Sequence, residues 1–368
     1  MTLEITLPKW YDLHTHFRQG DSLKSYVQAH IDMGCAGALA MPNTKPPTAK
    51  VLESDAGDSW SIEAYKNMIE LAAEGQFKKV IVPLYLTQKA TPEIIEQGKK
   101  SGLLEACKYY PPHGTTGAES AAPLEHYIDN GVFKAMEDNN VTLCIHGEEH
   151  DLCAEHYFDR KTNAEESFYQ KHMTMLRDKY PNLKIVCEHI TTKVAADFVT
   201  ESGNNIAATI TPQHLLYTIG HLIQGLRYHL FCLPVVKHEE DRDALRKAAT
   251  NANNTKFFAG TDSAPHTTKA TDCGCAAGCF TGGIAPQIYA KAFEESGIDL
   301  STASGQNTFK NFLCLNGANF YGLEIPTEAF KLIKKETPVN VLKAPDGDVI
   351  PLPLGMKKET ISWALDNG

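Results

Sequence analysis

The feature that most constrains this chain is a series of eight short apolar, β-prone runs with helix-like stretches between most of them. The runs are PKWYDLHTHF (8–17), AGALAMPN (36–43), KVIVPLYLT (79–87) and LLEACKYYP (103–111), followed by VTLCIHGE (141–148), LKIVCEHIT (183–191), NIAATITPQ (205–213) and TKFFAGTDSAPH (255–266). Helix-like patterns fall at 61–75, 121–138, 163–180 and 240–252. Continuous Val/Ile/Leu/Ala runs separated by helices predict a parallel sheet covered on both faces. Eight such units predict an α/β fold of the (β/α)8 TIM-barrel type, which needs about 250 residues. The 368 residues then make one barrel domain, 1–368, with 330–368 as a short C-terminal extension of small strands or extended cover packed on it. A doubly wound open sheet is the rival, but no Gly-rich phosphate fingerprint follows the first run.

The ends of the runs carry the chemistry. Six of the eight end at chemically capable polar groups: His14, His16 and Arg18; Asn43; Lys108; His146; His189; Asp262 and His266. Strand C-termini of a barrel meet at one face, so residues distant in sequence converge. His14 and His16, two apart on a strand, point the same way and can share an ion. Singly, each histidine reads equally as a polar surface or satisfied core residue. Four histidines at three strand ends with Asp262 form a donor set suited to zinc-like divalent ions. Lys108 ends a mostly apolar run. It is either a rim lysine snorkelling to solvent or a desolvated amine of lowered pKa. A neutral amine there can add carbon dioxide, and the resulting carbamate can bridge two ions. Asp262 in GTDSAPH is either a turn cap or a metal ligand and proton carrier. Arg18, Asn43 and His266 offer a cation and two neutral donors, a clamp for a carboxylate, or plain rim polarity.

Composition narrows the partners. The net charge of −10 and pI near 5.8 leave no basic stripe for nucleic acid, while a small anion can still be held by local cations. No apolar run reaches the ~18 residues of a membrane span, and MTLEITLPKW lacks the pattern of a secretory signal. Ten cysteines, mostly single and inside apolar runs, predict reduced thiols and a cytoplasmic protein. PPHGTTGAES (111–120) has the composition of a lid or of an inert turn. CGCAAGC (273–279) lacks the second ligand pair of a zinc finger; it predicts a close-packed loop that lends backbone groups to a ligand.

Taken in order, HTHFRQGD, MPNTKPP, KYYPPHGTT, IHGE, EHITTK, AATITPQHL, GTDSAPH and CGCAAGCF resemble the short, stand-alone class of dihydroorotases within the amidohydrolase superfamily, over residues 12 to about 280. The resemblance implies a zinc-dependent barrel that interconverts N-carbamoyl-L-aspartate and L-dihydroorotate in pyrimidine biosynthesis. It implies that His14, His16 and Asp262 hold one ion, that His146 and His189 hold the second, and that carbamylated Lys108 bridges them. Asp262 would also be the general acid/base. Arg18, Asn43 and His266 would bind the substrate carboxylate, Leu233 would offer backbone groups to the ring, and Thr115 and Thr116 would sit on the closing loop. The loop that commonly reads Cys-Gly-Cys-Ala-Gly has an extra alanine, which leaves either Ala276 or Ala277 as its ligand contact. Many barrels of this family pair up, which makes a homodimer an expectation. Two other readings are a hydantoinase- or dihydropyrimidinase-like cyclic amidase and a non-catalytic barrel scaffold.

Overall fold

A computed structural model describes residues 2–112, 120–160, 162–272 and 274–366. All eight predicted runs contain parallel strands: Trp10–Thr15, Cys35–Ala40, Lys79–Ile81 continued as Leu84–Tyr85, Ala106–Tyr109, Thr142–Ile145, Ile185–Cys187, Ile206–Ile210 and Phe257–Ala259. They pair with their neighbours in sequence order. Pro83 has no N–H to give a ladder, and the third strand is interrupted around it. The ring closes between first and last: Asp262 N–H donates to His14 O (2.8 Å), His16 N–H donates to Ser263 O (2.9 Å), and Thr15 and Ser263 form a parallel bridge. The architecture is the predicted (β/α)8 barrel.

The interior of the ring is a packed apolar layer. Tyr11, Leu39, Ala106, Cys144, Val186 and Phe258, from six strands, belong to one buried cluster closed by Phe320 and Tyr321. Such a layer is a core, not a pore. The first strand reaches both this layer and the site through a bulge. From Asp12 to Thr15 it advances three residues while its neighbour advances two, Ala38 to Ala40. An extra residue on one strand re-aims the side chains beyond it. Leu13 therefore joins the apolar layer, while His14 and His16 reach the site beyond it.

The outer helices follow local signals. Helix Ile62–Ala73 is capped by Ser61, whose hydroxyl accepts from Ala64 N–H. The predicted 121–138 helix is two, Leu124–Asp129 and Val132–Asp138, separated at Gly131 with φ 82°. The predicted 163–180 helix is Ala164–Phe168 and Thr174–Lys179 joined through a π turn, Tyr169–Met173. No helix among the described residues is long and apolar enough to cross a membrane. Nine described cysteines are free thiols.

The tail does form small strands. Ala329–Ile333 pairs antiparallel with Glu4–Pro8 on one side and Ala364–Asp366 on the other. Trp363 is fully buried and its indole N–H donates to Glu294 Oε2 at 3.1 Å, on the helix after the eighth strand. Lys334 caps the same carboxylate and lies 4.8 Å from the Trp363 ring centroid. Trp363→Ala removes both the apolar volume and the hydrogen bond, so unfolding in urea should lose about 3–5 kcal/mol. A loss below about 1 kcal/mol would mean the tail is not part of the cooperative unit.

Candidate metal centre

The strand ends do converge. His14, His16 and Asp262 are buried, and one ligand atom from each lies within 4.8 Å of the others. Asp262 Oδ1 is 3.0 Å from His16 Nε2 and 3.4 Å from His14 Nε2. The His189 ring is 4.8 Å from that of His14 and 4.7 Å from that of His146, centroid to centroid. Lys108, 0 % exposed, feels the charges of Glu188 and Asp262, and its amine stands 5.1 Å from the Tyr110 ring centroid.

Backbone conformation sets these positions. Arg18, His189 and Asp262 have φ of 59°, 40° and 48°, a left-handed region that non-glycine residues enter at a cost of about 1–3 kcal/mol. Gly260 allows the eighth strand to approach the first and seventh. A Cβ there would lie 2.7 Å from Thr209 Cγ2 and 3.0 Å from His14 Cβ. Gly278, at φ 140°, lets its loop lie against Ala264 and His266, where a Cβ would be 2.6 and 2.9 Å from them.

Carboxylates behind the histidines decide which nitrogens face the centre. His14 Nδ1 is 2.7 Å from Glu188 Oε2, which also accepts from Thr209 Oγ1 at 2.6 Å. His16 Nδ1 is 2.8 Å from Asn43 Oδ1. With Nδ1–H donated to those acceptors, both Nε2 lone pairs face the Asp262 carboxylate. Three electron-rich atoms turned toward one point repel unless a cation lies among them, the arrangement that second-layer partners give metal-binding histidines. On the other side, His146 Nε2 is 2.8 Å from Glu148 Oε2, which leaves Nδ1 as its available lone pair. His189 Nδ1 and Lys108 Nζ are buried without a hydrogen-bond partner. Buried orphan nitrogens are rare in native proteins, and a bound cation and a modified amine would satisfy them. The donor set therefore fits divalent ions.

Burial and the neighbouring charges shift the titration of these groups in different directions. Burial pulls the His16 pKa down to about 4, so the ring is neutral. Burial also holds His189 well below the usual histidine range. His14 is pulled down by burial, but Glu188 and Asp262 outweigh that and raise it. Burial alone would raise Asp262; the close His14 and His16 rings hold it well below the usual carboxylate range. Lys108 is lowered by burial, against the pull of Glu188.

Around this centre lies a small cavity of about 30 Å³ lined by the histidines, Arg18, Asn43, Leu233 and Ala277. Ala277 faces it, whereas the Ala276 carbonyl turns to Lys269. An adjoining outer cavity shares Arg18 and Asn43 and adds His266. Burial lowers His266 to about 3, and the neutral ring donates Nε2–H to Ala277 O at 2.8 Å, with Arg18 Nη2 3.2 Å away. Thr115 and Thr116 lie outside the described residues. Sequence reasoning passed over Glu188 and Glu148. Their signal was present: each is an acidic residue within two positions of a strand-end histidine, in EHITTK and IHGE.

No protein-family model matches the chain. Whole proteins do. The dihydroorotase of Acaryochloris marina is 38% identical over 370 residues, 99% of each chain, and that of Synechocystis sp. is 39% identical over 368 residues, 98% of this chain and 99% of the relative. Among solved structures, Saccharomyces cerevisiae dihydroorotase in complex with 5-fluoroorotic acid superposes with a TM-score of 0.84 at 28% identity over 98% of both chains. Campylobacter jejuni dihydroorotase gives 0.82 at 28% over 99% of this chain and 98% of that one. A Brevibacillus agri dihydropyrimidinase, at 0.68 and 14% identity over 91% of this chain and 77% of that one, shares the fold. At such identity over nearly its whole length, this chain belongs to the dihydroorotase family.

Proposed function

We propose that the chain interconverts N-carbamoyl-L-aspartate with L-dihydroorotate and water, as a metal-dependent cyclic amidohydrolase of pyrimidine biosynthesis. The observation that carries the metal reading is the pair of imidazole Nε2 atoms turned onto the Asp262 carboxylate, with Glu188 and Asn43 at the Nδ1 atoms behind them. Two zinc-like ions would be held by His14, His16 and Asp262 on one side and by His146 and His189 on the other. A carbamate on Lys108 would lie between them. When bound, the ions supply Lewis acidity at the ring amide and an activated water.

The protein's own groups do the rest. The desolvated Lys108 amine, once neutral, attacks carbon dioxide and loses a proton, giving the carbamate anion. Asp262 takes a proton and passes it to the departing ring nitrogen in hydrolysis; in cyclisation it moves the proton back. Arg18 supplies the permanent cation for the substrate carboxylate, with Asn43 and His266 beside it. Leu233 and Ala277 offer backbone groups to the ring from the cavity wall. The partner is thus a small anion, with neither nucleic acid nor membrane engaged. Single buried thiols support a cytoplasmic setting, and the family resemblance supports a homodimer.

Asp262→Ala should abolish turnover in both directions while leaving an ion at the His146/His189 side, read by activity and by metal analysis; near-normal turnover would remove its assigned role. Glu188→Gln keeps the shape but weakens the hold on His14, and metal affinity in a chelator competition should fall about 10–100-fold. An unchanged affinity would show that Glu188 does not orient the ligand. Arg18→Met should raise KM for dihydroorotate strongly, and the wild type should prefer dihydroorotate to uncharged dihydrouracil. Equal use of the two would replace the acid substrate with a neutral cyclic amide.

A further inference from the structure

Lys269 is a buried cation away from the metal ligands, and it does not line the cavity beside them. It is 6 % exposed, and its ammonium donates to three backbone carbonyls: Phe231 O at 2.8 Å, Ala276 O at 2.5 Å and Gly278 O at 2.5 Å. All three N–H groups are used, and no carboxylate forms an ion pair with it among the described residues. Burial lowers its pKa. A desolvated ammonium is a costly way to fill space, and an apolar side chain of the same length would fill it without that penalty.

The three carbonyls identify what the charge does. Phe231 stands two residues before Leu233, and Ala276 and Gly278 flank Ala277; Leu233, Ala277 and Gly278 all line the cavity. The two segments share one direct backbone hydrogen bond, Gly278 N–H to Phe231 O at 2.9 Å. Among the described residues the second segment's own strand, Gly274–Cys275, pairs only with Ala270–Thr271, and beyond it Cys279 bridges to Ser263. Two thiols also cross the gap, Cys279 Sγ to His229 O at 3.3 Å and Cys275 Sγ to Tyr228 O at 3.8 Å, and Lys269 adds the charged link, with one bond to the first wall and two to the second. Its own carbonyl accepts from Ala276 N–H at 2.8 Å, which binds the loop at a further point.

We infer that Lys269 is a positioning residue that sets the spacing of the Leu233 and Ala277 backbone segments and so determines how tightly the enzyme holds its substrate ring. The inference rests on the dihydroorotase reading. It assigns Lys269 no contact with substrate and no part in proton transfer. Loss of the ammonium lets the two segments drift apart and lowers affinity, while the ions, Asp262 and the carbamate keep their places. Binding that weakens while chemistry continues appears as a rise in KM with kcat nearly unchanged.

The experiment compares wild type with Lys269→Met, and with Lys269→Gln if the methionine variant does not fold. Metal content, steady-state kinetics on dihydroorotate and affinity for 5-fluoroorotic acid are measured well below each Tm. The expected result is KM and the 5-fluoroorotic acid Kd raised about tenfold or more, with kcat within about threefold and two ions retained. Metal-loaded variants with wild-type KM and Kd overturn the inference, whatever their Tm, because a purely structural lysine would move stability alone. A fall in kcat without a change in KM overturns it as well. Wild-type protein inactive on dihydroorotate would instead overturn the functional reading, a separate outcome.

Discussion

Two backbone hydrogen bonds, Asp262 N–H to His14 O and His16 N–H to Ser263 O, close the barrel and assemble its centre at once. The residues that complete the ring are the residues that carry the donor atoms. Their side chains cannot be moved apart without opening the sheet. This explains why an exposed, adaptable loop is not needed for the ligand geometry, and why Gly260 is required where the eighth strand meets the first. A ring of strands is the rigid element on which a site of sub-ångström tolerance is best built.

The centre violates the preferences of an ordinary core. Three non-glycine residues sit in left-handed conformations, several ionisable groups are desolvated, and the amine of Lys108 has no partner. Each costs stability. The surrounding structure offsets this through the filled apolar layer beneath and through carboxylates that already carry hydrogen bonds. Glu188 accepts from Thr209, and Glu165 accepts from the backbone and hydroxyls of Thr191 and Thr192, two and three residues after His189. The strained histidine is thus held on both sides by groups that cannot easily rotate.

Much of this was legible in the residues themselves. Continuous apolar runs ending in histidine, lysine and aspartate predict both the barrel and the face where chemistry gathers, because strand direction fixes which end each polar residue occupies. The bulge between Asp12 and Thr15 was not legible: alternation places His14 and His16 on one side, but it does not reveal that Leu13 also faces inward. The left-handed turns at His189 and Asp262 depend on long-range hydrogen bonds and have no local signature. Composition likewise left Lys108 balanced between rim and interior. Its complete burial comes from packing across neighbouring strands, information that no single segment contains. The two adjacent alanines look alike in sequence and differ in the fold: Ala277 lines the cavity, while the Ala276 carbonyl turns toward Lys269.

The pairing of Glu4–Pro8 with Ala329–Ile333 bears on how the chain comes into being. The opening strand finds its partner more than three hundred positions later, and the first barrel strand that follows it waits for Ser263 to seal the ring. A ribosome delivering the chain from its beginning thus releases two histidines long before the aspartate that faces them exists. Such distant contacts make folding slow and leave sheet edges open meanwhile. Any ion that the finished trio holds would have to be captured after synthesis of the eighth strand, a timing imposed by topology.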